Sequence, residues 1–202
     1  IAKGSSTCFF LELHISFNNF KLRHICVFSI IILMKLNKNL ILIGNMATGK
    51  STIGRLLAKK LSLKFFDTDF IIEKKMKMKI FEIFEKKGET IFRNLEKKIT
   101  LNLLNKNNCV ISLGGGAFIN ETIRKTVQKK GWTIWLNQNP KTLIDRIKKN
   151  NKRPIASNLS DNELIDLLIN RSKIYAKAKY EINCKNMRKT EIIDKIIRML
   201  KL

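Results

Sequence analysis

From residue 39 onward, the apolar positions alternate between short unbroken runs and helical stripes. The runs are "NLILIG" (39–44), "LKFFDTD" (63–69), "CVISLGGG" (109–116), "WTIWLN" (132–137) and "YEINC" (180–184). Such runs fit strands buried on both faces, as in a parallel sheet. Between them the spacing is helical. Ile53, Leu56, Leu57 and Leu61 share one face of a helix over 51–61. Further helices are predicted over 70–76, 80–87, 89–105 and 120–130. Asn139 followed by Pro140 opens another, to about 149, with Pro at the first helical position. Ser160 and Glu163 have capping-box spacing, opening a helix to about 175, and Thr190 is read as the cap of the last. Strands alternating with helices predict an α/β domain with a five-stranded parallel sheet flanked by helices. Residues 150–160, "NNKRPIASNLS", have no periodicity and read as a loop long enough to move.

In such folds ligands collect at the C-terminal ends of the strands. Three of those ends carry chemistry. The first is "GNMATGKST", which fits the phosphate-loop pattern G-x-x-x-x-G-K-[ST] between a buried strand and an amphipathic helix. Gly44 and Gly49 allow the tight turn. Asn45, Met46, Ala47, Thr48 and Thr52 complete a loop whose N–H groups face phosphate oxygens. Lys50 supplies a point charge to the outer phosphates, Ser51 a hydroxyl for Mg²⁺, and the following helix its positive end. The loop alone does not say what becomes of the phosphate.

The second end is "DTD". As a strand, it would put Asp67 and Asp69 on one face, suited to a metal and a hydroxyl nucleophile; the alternative is a pair of helix-capping acids before Phe70. The third is Gly114, Gly115 and Gly116, either a flexible turn or a place where a ligand meets backbone too closely for a Cβ. In "GETIFRNLE", Arg93 and Glu96 stand three apart on a helix. They form either a surface ion pair or an arginine held beside Phe92 to bind a carboxylate through two parallel hydrogen bonds. Arg153-Pro154 lies in the loop and Arg171 on the next helix, and arginine is scarce in this lysine-rich chain.

Taken in order, "GNMATGKST", "DTD", "GETIFRNLE", "SLGGG", the loop "RP" and "RSKIY" resemble shikimate kinase across residues 39–202. The resemblance implies a three-layer phosphate-loop NTPase-type fold with a mobile lid, and ATP-dependent phosphorylation of shikimate at its 3-hydroxyl. It implies that Lys50 and Ser51 serve ATP and Mg²⁺, and that Asp67 helps position the metal. Asp69 then binds and activates the attacked hydroxyl, while Arg93 and Arg171 grip the carboxylate. Gly115 contacts the ring, Phe84 and Phe92 line the pocket, and Glu96 holds Arg93. Arg153 reaches from the lid to the phosphates and Arg146 stacks on adenine. Two features depart from the family pattern. Ile155 and Ala156 replace two leucines after the lid Arg-Pro, and "CKNMRKT" lacks the usual proline of the adenine loop.

Composition changes this picture little. The 202-residue chain has 40 Lys+Arg against 16 Asp+Glu, a formal charge of +24. The lysines are scattered through every segment without a basic stripe, so the charge reads as compositional bias rather than a nucleic-acid footprint. Cys8, Cys26, Cys109 and Cys184 have no metal-binding spacing, which points to a reducing compartment, and His14 and His24 are the two histidines. Residues 1–33 hold an apolar run too short to span a bilayer. They are expected to be an extension outside the domain, or to precede a start at Met34, with an organelle-targeting segment as the alternative. Residues 34–202 are expected to form the kinase domain: a cytoplasmic monomer with no nucleic-acid or membrane partner. The competing readings are a gluconate-type or nucleotide kinase, a non-catalytic regulatory relative and a nucleic-acid binder.

Overall fold

The run at 39–43 forms β1 (Asn39–Ile43), and its continuous hydrophobicity has a plain cause. Successive side chains point to opposite faces, and both faces are covered. Leu40 and Leu42 join one core with Ile53, Leu57, Ile134 and Ile196, while Ile41 and Ile43 join another with Ile111, Phe118, Trp135 and Tyr175. The computed structural model describes residues 38–149 and 159–201. Residues 150–158 of the expected lid, among them Arg153, Pro154, Ile155 and Ala156, lie outside them, as do the leader, its two cysteines and two histidines, and Met34.

After β1 come α1 (Lys50–Lys60), β2 (Lys64–Asp67), α2 (Thr68–Met76), α3 (Ile80–Leu103) and β3 (Cys109–Ser112). A single 3₁₀ turn (Ala117–Ile119) leads to α4 (Glu121–Lys130), β4 (Gly131–Asn137) and α5 (Pro140–Lys148). The chain closes with α6 (Asp161–Tyr175), β5 (Tyr180–Asn183) and α7 (Lys189–Met199). The strands form one parallel sheet in the order β2-β3-β1-β4-β5, with helices on both faces. The order reverses at β1, so the crevice beyond its C-terminal end is the natural ligand position.

The expected caps largely hold. Asn139 Oδ1 accepts from the Lys141 N–H at 2.9 Å, and the Ser160 N–H donates to Glu163 Oε2 at 2.8 Å. Thr190 lies inside α7 rather than at its cap. Arg188 takes that place, its N–H donating to Glu191 Oε2 at 2.8 Å. The two helices expected on either side of Gly88 run on as α3, but Gly88 breaks the helical path at φ 82°, ψ 163°. That region is essentially reserved for glycine.

The largest departure from expectation is at "DTD". β2 ends at Asp67, whose Oδ1 accepts the Phe70 N–H at 3.2 Å and caps α2. Asp69 is therefore in the first turn of a helix. The alternation argument that placed both carboxylates on one strand face does not apply, because the chain changes period between them.

Candidate active site

The phosphate loop joins β1 to α1. Gly44 takes φ 142° with Leu136 O only 2.7 Å from where a Cβ would stand, and Gly49 takes φ 90°. Ala47 also has a positive φ of 61°. The Lys50 ammonium donates to Gly44 O and to Asn45 O, both at 2.9 Å. It is thereby drawn across the loop, at the N-terminus of α1. Thr48 Oγ1 donates to Asn45 O at 2.8 Å and tightens the same turn. A cavity of about 490 Å³ opens here, lined by Gly49, Lys50, Ser51, Thr52, Arg146 and Lys149 among others. The Arg146 guanidinium donates to Ala47 O at 3.2 Å, putting it on the rim of that cavity.

A second cavity, of about 800 Å³, lies beside it. Its walls come from Phe84, Phe92, Arg93 and Glu96 of α3, Asp67 and Asp69 at the β2–α2 junction, Gly115 and Gly116, and Arg171 of α6. Ser51, Asp69 and Gly115 line both cavities. The two spaces therefore meet at a hydroxyl, a carboxylate and a backbone turn.

Arg93 is fixed from two sides. Its Nη1 donates to Glu96 Oε2 at 2.8 Å and its Nε to Glu89 Oε1 at 3.1 Å. The guanidinium also sits over the Phe92 and Phe84 rings, at 5.2 and 5.9 Å from their centroids. Burial opposes the charge on Arg93, but the two carboxylates outweigh it and its pKa rises. Burial pushes the Glu96 carboxyl above its usual range, and Arg93 offsets this only in part. Glu96 is 2% exposed, and its Oε1 has no hydrogen-bond partner among the described residues. A Cβ on Gly114 would stand 2.6 Å from that atom and 2.5 Å from Asp69 Oδ1. Glycine there lets two carboxylates approach one point of backbone. A Cβ on Gly116 would stand 2.6 Å from Arg93 Nη1. Burial lowers the pKa of Arg171, and the like charge of Arg93 adds to this. Two cations facing a partly dry cavity make a place for an anion.

The structure thus brings Asp69, Arg93, Glu96, Gly115, Gly116, Arg171, Phe84 and Phe92 around one cavity, and the loop residues with Arg146 around the other. Gly114 lies behind the meeting point. Asp67 lines the larger cavity while also capping α2.

Sequence reasoning passed over Thr68 and Arg55, and one set of contacts made by Asn45. Thr68, fully buried, donates to Ser112 O at 3.3 Å and accepts the Gly114 N–H at 2.8 Å, tying α2 to the glycine turn. Asn45 was assigned to the nucleotide but its Nδ2 donates to Leu168 O and Ser172 Oγ, each at 3.2 Å, anchoring the loop to α6. Arg55, over the Phe65 ring at 5.8 Å, lines the larger cavity. Its position four residues after Ser51, on the same helix face, was the available signal.

Fold and site together define a phosphate-loop α/β protein with a second cavity, faced by two arginines, that opens onto the phosphate-loop cavity. The sequence model described as "Shikimate kinase" matches residues 46–201. The shikimate kinase of Bartonella henselae is 42% identical over 163 residues, covering 80% of this chain and 78% of that protein. The structure of shikimate kinase from Acinetobacter baumannii in complex with shikimate superposes with a TM-score of 0.80 at 30% identity, covering 86% of this chain and 97% of that one. A gluconokinase from Sinorhizobium meliloti 1021, at 12% identity and TM-score 0.54, covering 82% and 93%, shares the fold. The chain belongs to the shikimate kinase family.

Proposed function

We infer that this protein is an ATP-dependent kinase that phosphorylates the 3-hydroxyl of shikimate. The observation that carries the reading is the meeting of the two cavities at Ser51, Asp69 and Gly115. A phosphate in the loop and a polyol in the larger cavity would face each other there. Arg93 and Arg171 would hold the acceptor's carboxylate, Arg93 kept in orientation by Glu96. Gly115 and Gly116, whose N–H groups are without hydrogen-bond partners among the described residues, line the same cavity. Phe84 and Phe92, with ring centroids 4.6 Å apart, would close one side.

Transfer of this kind depends on positioning and charge neutralisation more than on covalent help. The acceptor oxygen forms a bond to the terminal phosphorus as the bond to the ADP oxygen breaks, and Asp69 takes the hydroxyl proton. Lys50 offsets charge on the transferring group, and Arg153 is assigned the same task from outside the described residues. A bound Mg²⁺ would neutralise the phosphates. The Ser51 hydroxyl and Asp67 carboxylate suit it, since this ion is usually held by one or two protein oxygens together with phosphate. No helix of the described residues is long and apolar enough to cross a membrane. We place the enzyme in the cytoplasm as a monomer, which sedimentation would check.

The test is ADP release with shikimate, gluconate and AMP offered separately. Turnover with shikimate and near-background rates with the others are expected. Preference for gluconate or AMP would overturn the assignment.

A further inference from the structure

The hydrogen bonds of the glycine turn point to a residue outside the reactive groups. Buried backbone groups are nearly always paired. Gly114 O accepts from the Ala117 N–H at 3.1 Å, and Gly116 O from the Ile119 N–H at 3.1 Å. The Gly114 N–H is held by Thr68. The carbonyl between them, Gly115 O, accepts from the Tyr175 hydroxyl. All three carbonyls are thus held from within the protein, while the Gly115 and Gly116 N–H groups have no partner among the described residues. In a trans peptide, C=O and N–H point in opposite directions. Fixing Gly115 O toward Tyr175 therefore turns the Gly116 N–H away from Tyr175. Arg93 stands close to this peptide, its Nη1 2.6 Å from the place a Gly116 Cβ would take.

Tyr175 is itself immobilised. It is fully buried, with Phe118 and Trp135 each at 6.3 Å between ring centroids. It also stands four residues after Arg171 on α6, so one helix face carries both the arginine and the hydroxyl.

We propose that Tyr175 is a positioning residue for the acceptor site: its hydroxyl locks the Gly115–Gly116 peptide so that the Gly116 N–H is presented to the bound acid beside Arg93. This rests on the acceptor reading given above. Without the hydroxyl the peptide is free to rotate, and the donor is no longer aimed before the substrate arrives.

The test uses Tyr175→Phe, which keeps the ring and removes one oxygen, and Phe118→Leu, which loosens the packing and keeps the hydroxyl. Steady-state kinetics and melting curves are measured for both and for the parent. Tyr175→Phe should raise the KM for shikimate about five- to tenfold, the scale of one hydrogen bond, with the KM for ATP within about twofold. Phe118→Leu should lower Tm and leave the ratio of the two KM values unchanged. A shikimate KM unaltered by Tyr175→Phe, or the same shift in both variants, overturns the role. A parent that does not turn over shikimate overturns the acceptor reading and the role with it. An active parent with an unaffected Tyr175→Phe removes the role alone.

Discussion

The two cavities are built in opposite ways. The nucleotide side is built around one contiguous stretch, residues 44–52, whose backbone does the work, with Arg146 and Lys149 added from α5 and its end. Gly44 and Gly49 set the turn, and Lys50 is held by the loop's own carbonyls. The acceptor side is made mostly by side chains, from α2, α3 and α6 among others, with the backbone of the glycine turn between them, residues far apart in sequence. A site built by backbone depends on a few residues absolutely. A site built by side chains spreads its selectivity over many contacts, each correctable and each worth less.

That contrast can be broken by substitution. Lys50→Ala should have the largest effect, lowering kcat on the order of a thousandfold, the scale of losing one preorganised charge stabiliser. The melting curve should stay close to the parent's. Near-normal turnover would show that the loop does not hold the transferring phosphate. Next is Arg93→Lys, which retains charge but not the planar fork. Loss of about 1.5–3 kcal/mol predicts one to two decades in kcat/KM for shikimate, with the KM for ATP almost fixed. If an analogue without the carboxylate suffers equally, Arg93 is not its ligand.

Glu96→Gln should raise the shikimate KM by roughly tenfold, because the neutral amide orients Arg93 less firmly. Stability should move the other way. The native pKa of Glu96 is raised by burial, so its contribution to stability is present at low pH and is lost as pH rises through that pKa. The Gln variant lacks this loss. Its Tm relative to the parent should therefore increase with pH above the usual carboxylate range, read by melting across pH 4–8 (an order-of-magnitude window). The smallest effect is expected from Ser172→Ala. It removes one of the two bonds from Asn45 to α6 and should raise the KM for ATP about two- to threefold. An equal rise for shikimate would mean that α6 couples the two sides, so that they are not independent.

The same contrast explains what could be read from the sequence. The loop at 44–52 was legible because its chemistry is local: glycines, lysine and hydroxyl at fixed spacing between a strand and a helix. The sheet was legible because β1, β3 and β4 are covered on both faces and leave unbroken apolar runs. The Arg93–Glu96 pair was visible as spacing, but its burial against Phe92 was not, since that depends on which face of α3 meets the sheet. Asp67 and Asp69 were misplaced relative to each other because a strand-to-helix change falls between them, and a cap looks the same in sequence as a strand-end acid. Thr68 and Tyr175 sit inside "DTD" and "RSKIY", but their roles left no signal, because their partners are backbone atoms of the glycine turn, more than forty residues away in each case.

Gly88 has a consequence for how such a sequence can drift. In a continuous helix, inserting or deleting one residue turns everything on one side of the change by about 100°. Phe84 and Ile80 lie before the break; Phe92, Arg93 and Glu96 lie after it. A non-helical residue between the halves can absorb such a twist in its own torsions. A one-residue insertion within 80–87 would then reshape the outer wall of the acceptor cavity without swinging Arg93 away.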